Sequence, residues 1–412
     1  MKIKWQVDGN VWKLEMELSS DDVLQGGGQG TMNVGLLERH FHIKLPNAID
    51  LPHPDLTALV ALVTTKPWIT STLVVDRAVS KEFARLVFKL FRINISPVSE
   101  TLEPRAPGSV PVLSYSGGVD SVAASQVLPS GIPHVHFKRI DHDKIRDRAP
   151  HVMTEAIADV VSETGKRGYE VHIVETDLEH ICHPYPTLPH WFAITVGVLL
   201  MADELDAGAI ALGGTLETFY MDMGRKWTGE GGKGLEPLSE IVGLPFIRPM
   251  LGITEIGTMQ IASASNLGDI ARSCVLGTRA KPCGVCVKCV RKILTSAAIS
   301  DSKKVPSELM LLRQEDPGIK ALETELPLYM QAQLEYSLSR IKELPKPLEK
   351  LYTRLGEPEQ AQTTWMERYY LSAINRSVPA PWRESVLTNI LKYLPLMDDE
   401  HLKDAVSWDR TK

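Results

Sequence analysis

Residues 110 to 127 read VPVLSYSGGVDSVAASQV, and this stretch decides the class of fold that the chain adopts. The apolar run from Val110 to Tyr115 is typical of a buried strand, and the segment from Val119 to Val127 has a helix-forming composition. A serine and two glycines join the two segments. A strand, a glycine loop and a helix in immediate succession predict an α/β unit whose loop holds an anion at the helix N-terminus.

The residue types in the loop indicate how it would hold phosphate. The glycines allow a tight turn and a close approach of the backbone, and the serines donate hydroxyl hydrogen bonds. A carboxylate would repel phosphate, so we assign Asp120 to a Mg²⁺ ion that neutralises the phosphates, and we give Asp120 and Ser121 catalytic roles. The alternative is a turn that merely caps a helix. The predicted phosphate-binding residues are Ser116, Gly117, Gly118, Val119, Asp120 and Ser121.

Strand-like and helix-like segments alternate from residue 108 to 298, which predicts a parallel sheet with helices on both faces. Ligands of open α/β sheets lie at the carboxyl ends of the strands. Lys138 ends the second strand of the series, and Gly213 and Gly214 end the fourth. We therefore add these three residues to the predicted nucleotide site.

The two flanks have different patterns from the middle. Residues 1–107 predict an N-terminal accessory α/β domain that opens with a hairpin turned at Asp8-Gly9-Asn10. Residues 299–412 carry amphipathic, proline-separated segments and predict a helical C-terminal domain. Together with the middle domain at 108–298, the sequence predicts three domains.

Four of the five cysteines are spaced C-x8-C-x2-C-x2-C. Four thiolates complete a tetrahedron and leave no position for water, so the spacing predicts a structural Zn²⁺ site and not a catalytic one. An iron–sulfur cluster and a redox or sulfur-carrying CxxC pair are the alternatives. The predicted ligands are Cys274, Cys283, Cys286 and Cys289.

Composition limits the partners and the compartment. The chain has 45 Lys+Arg and 51 Asp+Glu, a formal net charge of -6, which argues against a nucleic-acid partner. No apolar run reaches the ~18 residues of a spanning helix, and the start does not read as a signal peptide, so no membrane partner is expected. Clustered cysteines suit a reducing compartment, and the predicted location is cytoplasmic.

The hexapeptide from Ser116 to Ser121 resembles the PP-loop signature SGGxDS of the ATP pyrophosphatases. A segment similar to the "RPLL, then EI" of that family follows at Ile247 to Ile256, with Thr254 in place of its lysine. This resemblance covers about residues 110 to 298. It implies an adenine nucleotide α-hydrolase-like fold, ATP as a substrate, and release of pyrophosphate while AMP passes to a substrate oxygen. The loop has no lysine of the GxxxxGK[ST] kind, which is consistent with attack at the α-phosphorus.

The loop and the cysteine spacing together resemble the 7-cyano-7-deazaguanine synthase (QueC) family. The resemblance implies zinc on the four cysteines and adenylation of 7-carboxy-7-deazaguanine, with ammonia as the acyl acceptor. Tyr220, Asp222 and Arg225 loosely match the YPDCR substrate segment of that family, with one residue inserted. We therefore expect Asp222 to bind the guanidine-type edge of the substrate and Arg225 to bind its carboxylate.

Extra domains at both ends make the chain similar to the QueC-like proteins of bacterial anti-phage operons, the QatC family of QatABCD systems. That resemblance implies transfer of the acyl group to the N-terminal amine of a protein partner from the same operon. An α-amine with a pKa near ~7.7 is nucleophilic at neutral pH. The alternatives are nitrile synthesis with ammonia, a PP-loop tRNA-modifying enzyme that uses Cys182, and an ATP-binding scaffold without turnover. The histidines between residues 134 and 190 are left without an assigned role.

Overall fold

A computed structural model describes residues 1–27, 33–144, 154–185, 187–229, 236–274, 277, 281–300 and 307–412. None of the helices in these ranges combines the length and the apolar character that crossing a membrane requires.

Thirteen strands occur in the described ranges: β1 Lys2–Asp8, β2 Val11–Glu17, β3 Gln25–Gly27, β4 Asn33–Leu36, β5 His40–Lys44, β6 Thr72–Ser80, β7 Asn94–Ser99, β8 Val110–Ser114, β9 His134–Arg139, β10 Val171–Thr176, β11 Cys182–His183, β12 Ala207–Ala211 and β13 Phe246–Ile247. Ten of them form one sheet in the order β13-β12-β8-β9-β10-β5-β2-β1-β6-β7. The other three form a small antiparallel sheet in the order β11-β4-β3.

The half of the large sheet that runs from β13 to β10 is parallel throughout. Consecutive residues of its strands pack into two different hydrophobic clusters: Val112 belongs to one cluster and Leu113 to the other. Ile210 and Ala211 divide between the same two clusters. This alternation is that of a sheet buried on both faces. The predicted α/β class, with a mostly parallel sheet, is confirmed.

The N-terminal strands extend the same sheet. The hairpin of β1 and β2 turns where the sequence predicts, with Asp8 opposite Val11. Antiparallel pairing of β5 with β10, in which Ile43 lies opposite Thr176, joins the N-terminal strands to the parallel half. Residues 1–107 therefore share a continuous sheet with the middle of the chain, and one core cluster runs from Met1 to Phe246.

The α-helices of the described ranges are α1 Pro54–Thr65, α2 Lys81–Phe91, α3 Val119–Val127, α4 Thr154–Lys166, α5 Val196–Leu200, α6 Leu216–Phe219, α7 Glu236–Ile241, α8 Glu255–Ser263, α9 Val287–Ile299, α10 Ser307–Met310, α11 Pro317–Ala321, α12 Gln331–Leu338, α13 Lys346–Arg354, α14 Ile374–Ser377, α15 Ala380–Ile390 and α16 Asp399–Ser407.

The C-terminal helices pack directly on the middle of the chain. The amide of Asn389 in α15 donates to the carbonyl of Val127, at the end of α3, at 3.2 Å. The backbone N–H of Tyr370 donates to the carbonyl of Gly252 at 2.9 Å. Asn389, 262 positions away along the chain, thus contacts the C-terminal end of the helix that follows the glycine loop.

Candidate functional site

The loop between β8 and α3 has the geometry of an anion site. Gly117 has a φ of 71°. A Cβ at this position would also lie 3.1 Å from Cγ1 of Val160, so only glycine fits without strain. The hydroxyl oxygens of Ser116 and Ser121 lie 3.0 Å apart, and the N–H of Gly118 donates to the Ser116 hydroxyl at 3.3 Å. The loop therefore presents paired hydroxyls beside the N-terminus of α3.

The loop faces a cavity of about 360 Å³ at the carboxyl ends of β8, β9 and β12. Six of the nine predicted nucleotide residues line this cavity, and three do not: Gly117, Val119 and Gly214. The six are Ser116, Gly118, Asp120, Ser121, Lys138 and Gly213. Four cationic side chains contribute to the wall, as nucleotide phosphates would require: Lys138, Arg139, Arg272 and Lys288.

Two of these cations are already held by carboxylates. Lys138 Nζ lies 2.5 Å from Oε1 of Glu175, and Arg139 Nε lies 2.8 Å from Oε1 of Glu179. These pairs fix both cationic side chains at the carboxyl end of β9, against carboxylates on β10 and in the segment that follows it. The hydrogen bond with Lys138 lowers the pKa of the Glu175 carboxyl, which favours its charged form.

Gly213 makes the closest backbone approach in the site. A Cβ here would lie 2.9 Å from both the carbonyl carbon and the oxygen of Asp120, which is closer than a real side chain tolerates. The loop after β12 therefore packs directly against the backbone of the first turn of α3. Gly214 lies against the side chains of Leu251 and Thr218.

Asp120 is held by two side chains from other elements. Its Oδ1 accepts a hydrogen bond from the Thr258 hydroxyl of α8 at 2.8 Å and lies 3.6 Å from Lys292 Nζ of α9. The Asp120 side chain remains 33% exposed at the cavity. A carboxylate that keeps such exposure beside the glycine loop has the donor chemistry for Mg²⁺.

Behind Asp120 lies a buried charge network. Lys292 Nζ is 3.2 Å from Oε2 of Glu255, and Arg291 reaches the other oxygen of Glu255 at 3.5 Å. Burial would raise the pKa of Glu255, but the charges of Lys292 and Arg291 outweigh it and hold this pKa below its usual value. Burial opposes the charge of Lys292 as well, yet Asp120 and Glu255 raise its pKa. The network thus keeps a cation next to Asp120.

Glu217 is the unusual acid of this network. Its Oε1 accepts the backbone N–H of Glu255 at 2.9 Å, and its Oε2 is buried with no hydrogen-bond partner among the described residues. Burial, followed by repulsion from the Glu255 carboxylate, raises the pKa of Glu217 to about 7. A protonated Glu217 carboxyl avoids placing an unpaired negative charge beside the Glu255 carboxylate.

The predicted substrate residues lie in a turn outside the cavity lining. Asp222 and Arg225 pair with each other at 3.5 Å. Tyr220 stacks on Trp227, with ring centroids 5.6 Å apart. The backbone of this turn bonds to the C-terminal region, where the N–H of Arg410 donates to the carbonyl of Arg225 at 2.9 Å. The structure thus brings the three residues together, but against the C-terminal helices.

The four clustered cysteines form a candidate metal centre. All four sulfurs lie within 4.8 Å of one another; the sulfur of Cys274 is 3.5 Å from that of Cys283 and 4.0 Å from that of Cys286. Tetrahedral zinc with bonds of ~2.3 Å requires sulfurs ~3.8 Å apart. A single ion such as Zn²⁺ therefore fits, and the spacing favours it over a cluster whose thiolates bind different irons.

The metal centre is tied to the glycine loop through residues next to Cys274. The N–H of Arg272 donates to the carbonyl of Gly117 at 3.0 Å, and the N–H of Val119 donates to the Ser273 hydroxyl at 3.5 Å. A metal on Cys274 therefore holds the strap that supports both sides of the loop.

Sequence reasoning missed several residues of the site, namely Glu217, Thr258, Arg272, Ser273, Lys288, Arg291 and Lys292. Glu217 and Thr258 lie outside the motifs, whereas the other five lie within or directly beside the segment from Cys274 to Cys289, whose motif indicates a metal and not a contact with Asp120. Lys292 had one available signal, because it follows the last cysteine by three residues and so enters the site with the metal centre.

Cys182, considered as an alternative nucleophile, and His136, considered as a base, have surroundings that disfavour these roles. Cys182 is fully buried, and burial raises the pKa of its thiol far above the usual value. Burial lowers the pKa of His136, which lines the cavity, to about 4, so this imidazole is neutral at pH 7. Neither group has the protonation behaviour of an activated nucleophile or a strong base.

A family model described as a family of unknown function, DUF6395, matches residues 234–409. The match covers less than half of the chain; it includes the four cysteines, Lys292 and the C-terminal helices, and it leaves out the glycine loop. Comparisons with curated proteins and with solved structures gave no match.

Proposed function

We propose that the chain is an ATP pyrophosphatase of the PP-loop kind that converts a carboxylate into an acyl-adenylate and passes the acyl group to an amine. The observation that supports this most is the SGGVDS loop at the start of α3, which opens on a cavity of about 360 Å³ walled by four cationic side chains. That combination suits a nucleoside triphosphate, because loop N–H groups and cations bind phosphates while the rest of the cavity accommodates the nucleoside.

The loop residues receive distinct roles. The hydroxyls of Ser116 and Ser121 and the N–H groups at the start of α3 bind phosphate oxygens. Lys138 and Arg139, positioned by their carboxylate partners, add positive charge from the neighbouring strand. Asp120 would hold Mg²⁺, which supplies charge neutralisation for the triphosphate.

The proposed reaction has two displacements. A carboxylate oxygen of the substrate attacks the α-phosphorus, the bond to the β-phosphate oxygen breaks, and pyrophosphate leaves. The amine nitrogen then attacks the acyl carbon; AMP leaves, and the amine proton is lost to solvent. The chain's own contribution is positioning and charge: Lys292 keeps positive charge at Asp120 through both steps, since Glu255 holds it in place.

The finer parts of the proposal rest on the resemblance to QueC-like proteins. The acyl substrate is proposed to be of the 7-carboxy-7-deazaguanine type. The acceptor is proposed to be the N-terminal amine of a protein partner from the same operon. Tyr220, Asp222 and Arg225 remain the proposed substrate residues.

The metal centre has a structural role in this proposal. Zinc on the four cysteines would fix the strap from Arg272 to Cys274, which supports Gly117 and Val119. Because the tetrahedron is closed by protein ligands, the ion takes no part in the reaction.

Pyrophosphate release tests the proposal. The purified protein is incubated with ATP, Mg²⁺ and 7-carboxy-7-deazaguanine, with and without ammonium or proteins of the operon, and pyrophosphate and intact protein masses are measured. We expect pyrophosphate release with the carboxylate and a mass increase at the partner's N-terminus. Free nitrile with ammonium alone would indicate nitrile synthesis, and no pyrophosphate under any condition would overturn the assignment.

The variant Asp120→Asn tests the site itself. We expect it to fold normally and to lose pyrophosphate release by at least about a hundredfold, because the ligand for Mg²⁺ loses its charge. Asp8→Asn is the matched control, since an Asn-Gly turn suits the same hairpin and Asp8 lies in a different part of the sheet. Equal loss in both variants would contradict a specific role for Asp120.

A further inference from the structure

A group of histidines and aspartates lies at the joint between β5 and β10, outside the cavity of the glycine loop. We call it the histidine–aspartate cluster: His40, His42, His142, Asp143 and Asp177. Two sets of three within it, His40 with His42 and Asp143, and His142 with Asp143 and Asp177, each have potential ligand atoms within 4.8 Å of one another.

The fold places these side chains together for a simple reason. His40 and His42 alternate along β5 with Phe41 and Ile43, which are buried in the core, so both histidines point to the opposite face. Asp177 directly follows β10, the partner strand of β5. His142 and Asp143 follow β9, the next strand. Residues from three separate segments therefore meet at one edge of the sheet.

The distances fit a metal ion. Nε2 of His40 lies 3.1 Å from Oδ1 of Asp143. Two ligands ~2.1 Å from one ion are separated by about this distance when they bind it close to a right angle. Asp177 accepts from Nδ1 of His42 at 3.2 Å and from the backbone N–H of His42 at 2.7 Å. This bond orients the ring and leaves Nε2 as the ligand atom, in the manner of carboxylates that support metal-binding histidines.

A further buried imidazole lies next to the cluster, on the side of His142. His180 is 2% exposed, and neither of its ring nitrogens has a hydrogen-bond partner among the described residues. Its ring centroid lies 6.4 Å from that of His142 and 5.0 Å from that of Tyr185. A buried imidazole with both nitrogens unpaired is costly, and His180 is therefore a polar group beside the cluster that the described side chains leave unsatisfied.

We propose that the histidine–aspartate cluster binds a divalent first-row transition-metal ion, with His40, His42 and Asp143 as ligands and Asp177 as the residue that orients His42. Two imidazoles and one carboxylate favour Zn²⁺, Co²⁺, Fe²⁺ or Mn²⁺ over Mg²⁺, which prefers oxygen alone. Three protein ligands leave open positions on the ion, unlike the closed set of four cysteines. His40 and Asp143 line a surface cavity of about 330 Å³, which provides the entry path.

The visible spectrum of bound Co²⁺ distinguishes the two candidate metal centres, because one offers sulfur ligands and the other offers nitrogen and oxygen ligands. Full-length protein with zinc on its cysteines is titrated with Co²⁺ alone. We expect one further ion per chain, with the weak visible bands of nitrogen and oxygen ligation and without thiolate-to-cobalt charge-transfer bands. A zinc-loaded wild-type protein that binds no cobalt would overturn the proposal, whatever the variants do.

Variants then locate the ion. We expect His42→Asn and Asp143→Asn to weaken Co²⁺ binding roughly 10- to 100-fold. His172→Asn is the matched control, because His172 lies on β10 and pairs with Glu170 outside the cluster. The Asp143 side chain is 56% exposed, so its replacement should not impair folding even if that of His42 does. Cobalt affinity equal to wild type in Asp143→Asn and in a folded His42→Asn would contradict the assignment.

Discussion

The four-cysteine centre and the glycine-loop site lie side by side but are built in opposite ways. Every ligand of the metal centre comes from one segment, Cys274 to Cys289. The charge network around Asp120 draws on α3, α6, α8 and α9. A local site forms whenever its segment can turn on itself, whereas a distributed site requires the complete fold. We therefore expect the four-cysteine centre to depend on a bound metal and the site around Asp120 to depend on packing and paired charge.

Loss of a cysteine ligand should have the largest effect. We expect Cys283→Ser to lower the bound zinc and to reduce the free energy of unfolding by several kcal/mol, on the order of what structural zinc contributes. Metal analysis and chemical denaturation measure both effects. Cys182→Ala is the control: it removes a buried thiol outside the centre, so zinc content should stay at the wild-type level. Unchanged zinc in Cys283→Ser would contradict the four-cysteine assignment.

Removal of the buried cation of the distributed site should come next. We expect Lys292→Met to lower the free energy of unfolding by about 4 kcal/mol, because Asp120 and Glu255 lose their shared partner. Lys288→Met, on the same helix but at the cavity wall, should change stability little. Similar unfolding curves for both variants would show that the network does not support the fold.

The site around Asp120 should also make the stability of the protein depend on pH, through Glu217. Because the pKa of Glu217 is raised to about 7 from 4.5, its stabilising contribution is fully present below about pH 4.5 and is lost as the pH rises through 7. We expect Glu217→Gln to be more stable than wild type at pH 8, by on the order of 3 kcal/mol, and equally stable at pH 4.5. Denaturant titrations at several pH values measure this difference. Glu240→Gln, an exposed acid, should reproduce the wild-type pH profile.

The smallest effect on stability is expected at the turn of the proposed substrate residues. Asp222→Asn removes a partly exposed pair with Arg225 and should cost no more than about 1 kcal/mol. The KM for ATP should stay unchanged, since Asp222 does not line the cavity. Steady-state kinetics then decide the role of the turn: a higher KM for the acyl substrate alone would locate acyl binding there, and an unchanged KM would exclude Asp222 from it.

Local patterns predicted much of the fold. Apolar runs placed β8 and α3 within one residue of where they lie, and the Asp8-Gly9-Asn10 turn forms the hairpin. These elements follow from periodicities that a short segment already carries. The segment from Leu328 to Ile341, by contrast, reads as one long amphipathic helix, while the structure limits the helix to α12, Gln331–Leu338. Met330 has a left-handed backbone conformation with a φ of 59°, which a right-handed helix does not contain, so the helix begins at Gln331.

The candidate site likewise contains residues that the sequence predicted and residues that it did not. The loop residues, Lys138 and Gly213 were predictable because their positions at strand ends follow from strand order within a parallel sheet. The pairing of Lys292 with Asp120 was not, since 172 positions separate the two residues and the cysteine motif beside Lys292 indicates a metal centre without indicating which residue Lys292 pairs with.

Short-range patterns were enough to predict the α/β class, the glycine loop at the start of a helix and the four cysteines of the candidate metal centre, because each depends on residues close together along the chain. Only the tertiary structure decided that β5 joins β10, that the N-terminal strands continue the parallel sheet, and that histidines of β5 meet the aspartate after β10. It also decided that Lys292 lies at Asp120 and that Glu217 is buried beside Glu255. These contacts join distant segments, and their energies come from burial and charge pairing that exist only once the segments have packed together.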